Sequence, residues 1–368
     1  MMFDRRLVQN FDWGLLWLTL LLGGIGLVAL YSAVTAGEQT AQEVLFKRQL
    51  IWFGAGLAVM VLSFVFNYKL LDRFAPALYV GCILLLIGVL LIGTSGGGAQ
   101  RWLRVGPFFI QPSEFAKLTI IITLARYYAR YANPDGYTLP ELIKPALLIG
   151  LPFLLIVRQP DLGTGLLLLL VAGSMTVFVK IERRSFYSLV FCGALIGPMV
   201  WFFLRPYQKQ RILTFLDPDR DPLGAGYHII QSKIAIGSGM LAGKGYLKGT
   251  QNGLSFLPEQ HTDFIFSVLA EEWGFMGGVF VLFCFFLLIL WGLRVAYRCR
   301  DPFGTILCVG VTAKLFWQVA INVGMVMGLM PVVGVPLPFV SYGGSSIVTA
   351  MLCVGILMNV SMRRFLIE

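Results

Sequence analysis

Ten apolar runs alternate with shorter polar stretches along the chain. Their cores lie near residues 13–33, 49–66, 76–93, 113–131, 145–157, 163–179, 186–204, 264–293, 303–330 and 342–362. A helix crosses the hydrocarbon core of a bilayer with about 20 apolar residues, so the pattern predicts an all-α polytopic membrane protein with about ten transmembrane helices. The fifth run is short and contains Pro152, which invites a tilt or a break. The eighth and ninth runs are long enough to tilt or to extend past the bilayer. The fourth is the least apolar, with Glu114, Lys117 and Arg126; if it is only interfacial, nine spans remain. The first run follows Arg5 and Arg6 and ends near Val34-Thr35-Ala36, superficially like a signal peptide. Its apolar stretch exceeds the roughly 7–15 residues of a signal-peptide core, so it reads as an uncleaved first span.

Composition agrees. The 368 residues are 57% hydrophobic and 13% charged, with a mean hydropathy of +0.79. Soluble domains carry about 25% charged residues, so a disordered chain, a collagen and an ordinary soluble enzyme are excluded. The net charge of +10 would suggest nucleic acid in a soluble protein. Here the basic residues fill short loops between apolar runs, where topology and anionic lipid account for them better than a nucleic-acid partner.

The distribution of those residues orients the chain. With the N-terminus in the cytoplasm, the inner side collects 15 Lys and Arg and the short outer loops collect 5. This asymmetry supports both termini inside, and an even number of spans requires them on the same side. The loop from about 205 to 262, between spans seven and eight, then faces outward. It contains a turn-forming cluster, Asp217-Pro-Asp-Arg-Asp-Pro222, and a stretch from Tyr227 to Leu241 compatible with an amphipathic helix on the outer membrane surface. Gly237, Gly239, Gly243, Gly245 and Gly249 follow, interleaved with Lys244 and Lys248.

The six cysteines (Cys82, Cys192, Cys284, Cys299, Cys308 and Cys353) include no CxxC pair, and the only histidines are His228 and His261. Neither a disulfide framework nor a transition-metal site follows from such a set.

Ionisable residues inside spans are costly and normally face a cavity or a partner. Glu114 and Lys117 share a helix face; the alternative for Glu114 is simple complementarity to the helix dipole. Lys314 has no acidic residue within a helical turn and therefore needs a carboxylate or an anionic ligand from elsewhere. Asp161 follows Arg158 in a short outer loop, either as a solvated ion pair or as the lining of an outward cavity. Asp263 opens the eighth run, where it reads equally as an N-cap or, with Glu259 and His261, as acid–base chemistry at the membrane surface. Glu271 and Glu272 lie two turns deeper, and one of them is a possible partner for Lys314. Finally, Pro336 to Ser346, containing Ser341, Tyr342, Gly343 and Gly344, is irregular backbone at the membrane edge. It is either a tight re-entrant turn or an anion-binding loop.

Four stretches together resemble the SEDS family (shape, elongation, division and sporulation). They are Gln100-Arg101-Trp102-Leu103 with Gln111-Pro-Ser-Glu-Phe-Ala-Lys117; Gln159-Pro-Asp-Leu-Gly163; Phe256 to Phe266 with Glu271-Glu272; and Pro338 to Ser346. The likeness runs through nearly the whole chain in the expected order, making residues 1–368 a single SEDS-type integral membrane domain. The run Gly243 to Gln251 leading into Phe256-Leu-Pro-Glu, together with the short termini, resembles the elongation branch (RodA) more than the division branch (FtsW).

The resemblance implies a peptidoglycan glycosyltransferase in the bacterial cytoplasmic membrane, with its active site facing outward. It would polymerise lipid II through β-1,4 bonds with inversion, releasing undecaprenyl diphosphate. Asp263 matches the family's essential acidic residue. Arg101, Lys117 and Lys314 are candidates to stabilise the diphosphate, and Glu114 and Lys117 match a polar pair in the family's central cavity. No covalent cofactor is implied; a divalent cation such as Mg2+, held partly by diphosphate, would serve the same end as those cations. The implied partner is a class B penicillin-binding protein docking on spans eight and nine and the outer loops. The competing reading is a lipid II flippase, which would need polar residues leading to the cytoplasm, whereas the candidates gather in the outer half. An inert scaffold would leave Lys314 and Glu114 unexplained, and other polyprenyl-linked glycosyltransferases, such as O-antigen ligases, are the nearest alternative enzymes.

Overall fold

The computed structural model describes residues 10–35, 43–96, 99–106, 108–217, 225–253 and 261–364. Each apolar run becomes a long helix: α1 (Trp13–Thr35), α2 (Glu43–Val65), α3 (Lys69–Ile92), α4 (Pro112–Arg130), α5 (Leu139–Arg158), α6 (Leu162–Phe178), α7 (Arg183–Phe203), α11 (Ile265–Arg298), α12 (Pro302–Val326) and α13 (Gly344–Arg363). Seven of these (α1, α2, α3, α5, α11, α12 and α13) are long and apolar enough on their own to cross a membrane. Large apolar side chains such as Leu91, Phe191, Phe202 and Phe286 point outward, as a lipid-facing surface requires and a soluble one avoids. The chain is a multi-pass membrane protein.

The most enclosed part of the bundle is α4, α12 and α13. α4 is packed by α3, α5, α6, α12 and α13 and is buried along most of its length. Its low hydropathy marks a helix that hides polar groups from lipid inside the bundle, the opposite of an interfacial helix. α13 packs along α2 and closes its end. The last carbonyls of a helix lack partners within it. Asn359 donates to the Ser63 and Phe66 carbonyls, and Arg363 donates to Phe64 at 2.9 Å and to Val65 at 3.4 Å.

One element was not anticipated. Between α3 and α4 the chain forms a small antiparallel meander of β1 (Thr94–Gly96), β2 (Ala99–Val105) and β3 (Phe108–Ile110), with Thr94 opposite Trp102 and Arg104 opposite Phe109. It carries Arg101 on its central strand.

The long loop contains α8 (Pro206–Leu216), α9 (Ala225–Ser238) and the short α10 (Thr250–Gly253). The amphipathic helix expected from Tyr227 onward is α9, but its buried face is not turned to a lipid surface. Ile229, Ser232 and Ala235 are buried, and the Ser232 hydroxyl contacts Ser267 of α11 at 2.8 Å and donates to the Val326 carbonyl of α12 at 2.6 Å.

α11 is broken at Gly274, whose φ of +68° and ψ of −167° interrupt the helix. The Gly239–Gly245 segment docks against the break. Phe275 and Met276 donate their N–H groups to the Met240 and Leu241 carbonyls, while Lys244 and Gly245 donate theirs to the carbonyls of Glu271 and Glu272. The glycines are required here: a β-carbon on Gly243 (φ +81°) would lie 2.1 Å from the Glu272 carbonyl oxygen, and one on Gly274 would lie 2.2 Å from the Gly243 nitrogen.

Candidate functional site

The polar residues converge at the end of the bundle where α4, α6 and α13 begin and α8 passes. Glu114 and Lys117, one turn apart on α4, form a buried ion pair at 2.6 Å, and Thr349 of α13 approaches the second Glu114 oxygen at 3.3 Å. Glu114 is therefore an interior ion-pair partner and not merely a dipole complement. Lys314 of α12 is fully buried, donates to Gln318 at 2.9 Å, and lies within electrostatic reach of both Glu114 and Lys117. Glu114 is thus a carboxylate within the electrostatic reach of Lys314. Glu271 is not that partner: it accepts from Lys244 at 2.7 Å and from the Thr250 and Gln251 N–H groups at 2.8 and 3.0 Å. Glu272 accepts from the Ser32 hydroxyl. The Glu271-Glu272 pair therefore anchors the outer loop.

Asp161 is only 2% exposed and is no solvated turn residue. Its Oδ1 caps α6 by accepting from the Thr164 N–H at 3.3 Å, and its Oδ2 accepts from Gln111 at 3.1 Å and Ser113 at 3.4 Å. Its cation is Arg101, at 3.8 Å, and the Arg101 guanidinium also donates to the Pro160 carbonyl. Asp161 is within electrostatic reach of Lys117 as well, so it joins the buried cluster to the rim.

Asp263 is in the turn before α11, one residue ahead of the cap position at Phe264. Two features fix this turn. The buried Asn322 side chain donates to the Asp263 carbonyl at 2.9 Å and to the Val335 carbonyl at 2.8 Å. Gly334, at φ +71°, makes room for the carboxylate: a β-carbon there would lie 3.2 Å from Asp263 Oδ2. Two residues earlier, the His261 carbonyl accepts from the Tyr342 N–H at 2.9 Å, and the two rings meet edge to face at 5.9 Å. Glu259 lies outside the described residues.

The Pro336–Ser346 loop is held from below. Gln49 of α2 donates to the Ser341 carbonyl and accepts from the Gly343 N–H, both at 3.2 Å. The Ser341 hydroxyl accepts from the Leu337 N–H at 2.8 Å, and Gly344 packs on the Trp52 ring. The Gly343 amide is thus engaged within the protein, and the loop brings Tyr342 to the site mainly through its backbone. Burial raises the Tyr342 phenol above its usual value, against the opposing pull of Arg48, which hydrogen-bonds it.

Residues missed in the sequence complete the rim. Arg211 of α8 rests over the Tyr207 ring at 6.0 Å and lies within electrostatic reach of Arg101, Asp263 and Asp161. Burial, followed by the like charge of Arg101, lowers its pKa from the usual guanidinium value; it stays cationic at neutral pH. Polar side chains inside apolar runs were the signal for Gln49 and Asn322. Arg211 had none, because only the fold brings α8 over the site.

Residues 13–365 match the family model described as cell cycle protein, FTSW_RODA_SPOVE. The chain belongs to this family. It is 44% identical over 337 residues to peptidoglycan glycosyltransferase MrdB of Escherichia coli strain K12, covering 91% of this chain and 90% of that one. It is 34% identical to peptidoglycan glycosyltransferase RodA of Treponema pallidum, covering 98% and 99%. A chain solved in a peptidoglycan synthase complex, described as coordinating polymerization and crosslinking, superposes with a TM-score of 0.82 at 32% identity over 96% of this chain and 98% of that one. The rod shape determining protein RodA of Thermus thermophilus superposes with a TM-score of 0.70 at 28% identity over 97% and 98%. Membership in the FtsW–RodA–SpoVE family gives the convergence of Asp263, Arg101, Asp161 and the buried α4 pair a chemical context.

Proposed function

We propose that the chain is a RodA-type peptidoglycan glycosyltransferase that polymerises lipid II into β-1,4-linked glycan, with its site on the outer face of the bacterial cytoplasmic membrane and both termini inside. The observation that carries this reading is that Arg211 lies within electrostatic reach of Asp263, Asp161 and Arg101, the last paired with Asp161 at 3.8 Å, at the rim of a buried cationic cluster. Chain elongation needs a base for the attacking sugar hydroxyl and cations for a diphosphate leaving group. Asp263 takes the proton of that hydroxyl or positions it. Attack inverts the anomeric carbon, and the bond to diphosphate breaks with its electron pair leaving on the undecaprenyl diphosphate. Arg101 and Arg211 meet the growing charge, and Lys117 and Lys314 extend the positive field from below.

Among the described residues no three His, Cys, Asp or Glu side chains cluster as ligands; a divalent ion would draw most of its oxygens from the diphosphate. The protein's own cations, Arg101, Arg211, Lys117 and Lys314, serve the same end.

The partner in this reading is a class B penicillin-binding protein. Below the Gly274 break, α11 turns Phe275, Met276, Val279, Phe280, Phe283 and Phe286 outward, an apolar stripe suited to a single partner helix in the bilayer.

The test is polymerisation of labelled lipid II by the purified protein, alone and with that partner, comparing wild type with Asp263→Ala. Loss of glycan in a folded, partner-binding variant supports the assignment. Equal polymer from both removes Asp263 from the chemistry, and no polymer from wild type with partner present moves the function to lipid transport.

A further inference from the structure

At the end of the bundle away from Asp263, one carboxylate ties three helices together. Asp12, just before α1, accepts from the Trp291 indole N–H of α11 at 3.1 Å and from the Ser361 hydroxyl of α13 at 2.9 Å. Gly14 lies directly on the Trp291 ring, where a β-carbon would be 2.1 Å from the nearest ring atom, so α1 and α11 meet closely. This junction brings Arg294 and Arg298 of α11 within electrostatic reach of Arg364 at the end of α13. Arg294 and Arg298 are four residues apart and share a helix face. Around the corner, Trp13 and Trp17 stand one turn apart and mostly exposed, and Tyr297 is 91% exposed.

None of these groups contributes to the lipid II site. From Phe275 to Arg298, α11 runs roughly 36 Å at the helical rise. Their chemistry is that of a phosphate site at a membrane surface. Guanidinium forks match phosphate oxygens in bidentate geometry, and tryptophan and tyrosine rings settle at the headgroup level. Basic pockets where helices meet on the inner side suit acidic headgroups.

We propose that the corner formed by Arg294, Arg298 and Arg364, flanked by Trp13, Trp17 and Tyr297, binds the headgroup of an anionic phospholipid. Exposed tryptophans on α1 beside arginines of the adjoining helix favour a lipid over a soluble acidic protein.

The test is native mass spectrometry of the full chain in detergent, titrated with cardiolipin, with phosphatidylglycerol or with phosphatidylcholine. Wild type retains the anionic lipids and releases phosphatidylcholine. R294Q/R298Q weakens anionic-lipid retention about tenfold, while R183Q/R184Q, removing two other arginines of the same membrane side, leaves it unchanged. W13A/W17A also weakens lipid retention, and thermal unfolding confirms that each variant is folded. Equal losses from both arginine pairs reduce the effect to bulk charge and overturn the proposal. So does equal retention of phosphatidylcholine. Full displacement by millimolar inorganic phosphate, with W13A/W17A unaffected, assigns the corner to free phosphate. Retention unchanged in R294Q/R298Q leaves these arginines free for a protein partner and overturns the lipid reading.

Discussion

The Asp161 carboxylate lies 3.8 Å from the Arg101 guanidinium, although one residue starts a helix and the other comes from a β-strand between helices. Asp161 caps α6, restrains Arg101 and faces Lys117, so charge removal and cap removal are separable. Asp161→Asn keeps an acceptor for the Thr164 N–H but loses the charge and the second acceptor that serves Gln111 and Ser113. It should keep the helix cap while slowing lipid II polymerisation. Asp161→Ala should lose about 1 kcal/mol besides, the usual cost of a missing cap. Glycan gels and thermal unfolding in detergent read the two effects separately. Arg101→Ala and Arg211→Ala should each slow polymerisation without the stability loss, and the double variant should be worse than either alone.

Glu114 and Lys117 form a buried pair, and removing one partner of such a pair typically costs about 3–5 kcal/mol because the other charge is stranded. Glu114→Gln should therefore lower the unfolding temperature markedly, leaving Lys117 and Lys314 facing each other uncompensated. Combining it with Lys117→Met should recover part of the stability, since Lys314 still lacks its carboxylate, and none of the polymerisation. Recovery of both would make the pair purely structural.

Gly334 carries a left-handed φ and gives the Asp263 carboxylate its space. Gly334→Ala should cost about 1 kcal/mol in backbone strain and displace the carboxylate. The expected signature is a fall in kcat far larger than the change in stability, with binding of the partner unchanged. A wild-type rate in this variant would place the reacting hydroxyl away from Gly334.

Glu271 accepts from Lys244 and two backbone amides, so it fastens the loop to α11. Glu271→Gln should keep part of this network, because the amide oxygen still accepts; Glu271→Leu should release it. Hydrogen exchange should then accelerate between Gly239 and Gly253 in the Leu variant while the membrane-embedded helices stay protected. Lys244→Ala should have a smaller effect in the same segment.

The apolar period was enough to place every long helix, since burial against lipid or neighbours requires apolar residues whichever helix adjoins. The inward turn of α4 was legible in Glu114 and Lys117, because charges in a span have nowhere else to go. Partners were not legible. The sequence suggested Arg158 for Asp161 and a glutamate of α11 for Lys314; the fold supplies Arg101 and Glu114, because pairing across helices depends on rotations that a linear pattern does not encode. The meander around Arg101 was missed because its strands are only a few residues long, and the seat of α9 on α11 and α12 was not legible because Ser232 hides its polarity in hydrogen bonds to them.

The Gly274 break gives α11 two mechanical identities. Its first turns, from Ile265 to Trp273, are clamped to the Lys244 loop by main-chain and carboxylate contacts, and they follow immediately after Asp263. The longer lower piece is bolted to α12. The Asp263 turn is thus coupled to the outer loop through the first turns of α11, and to the bundle through Asn322 of α12.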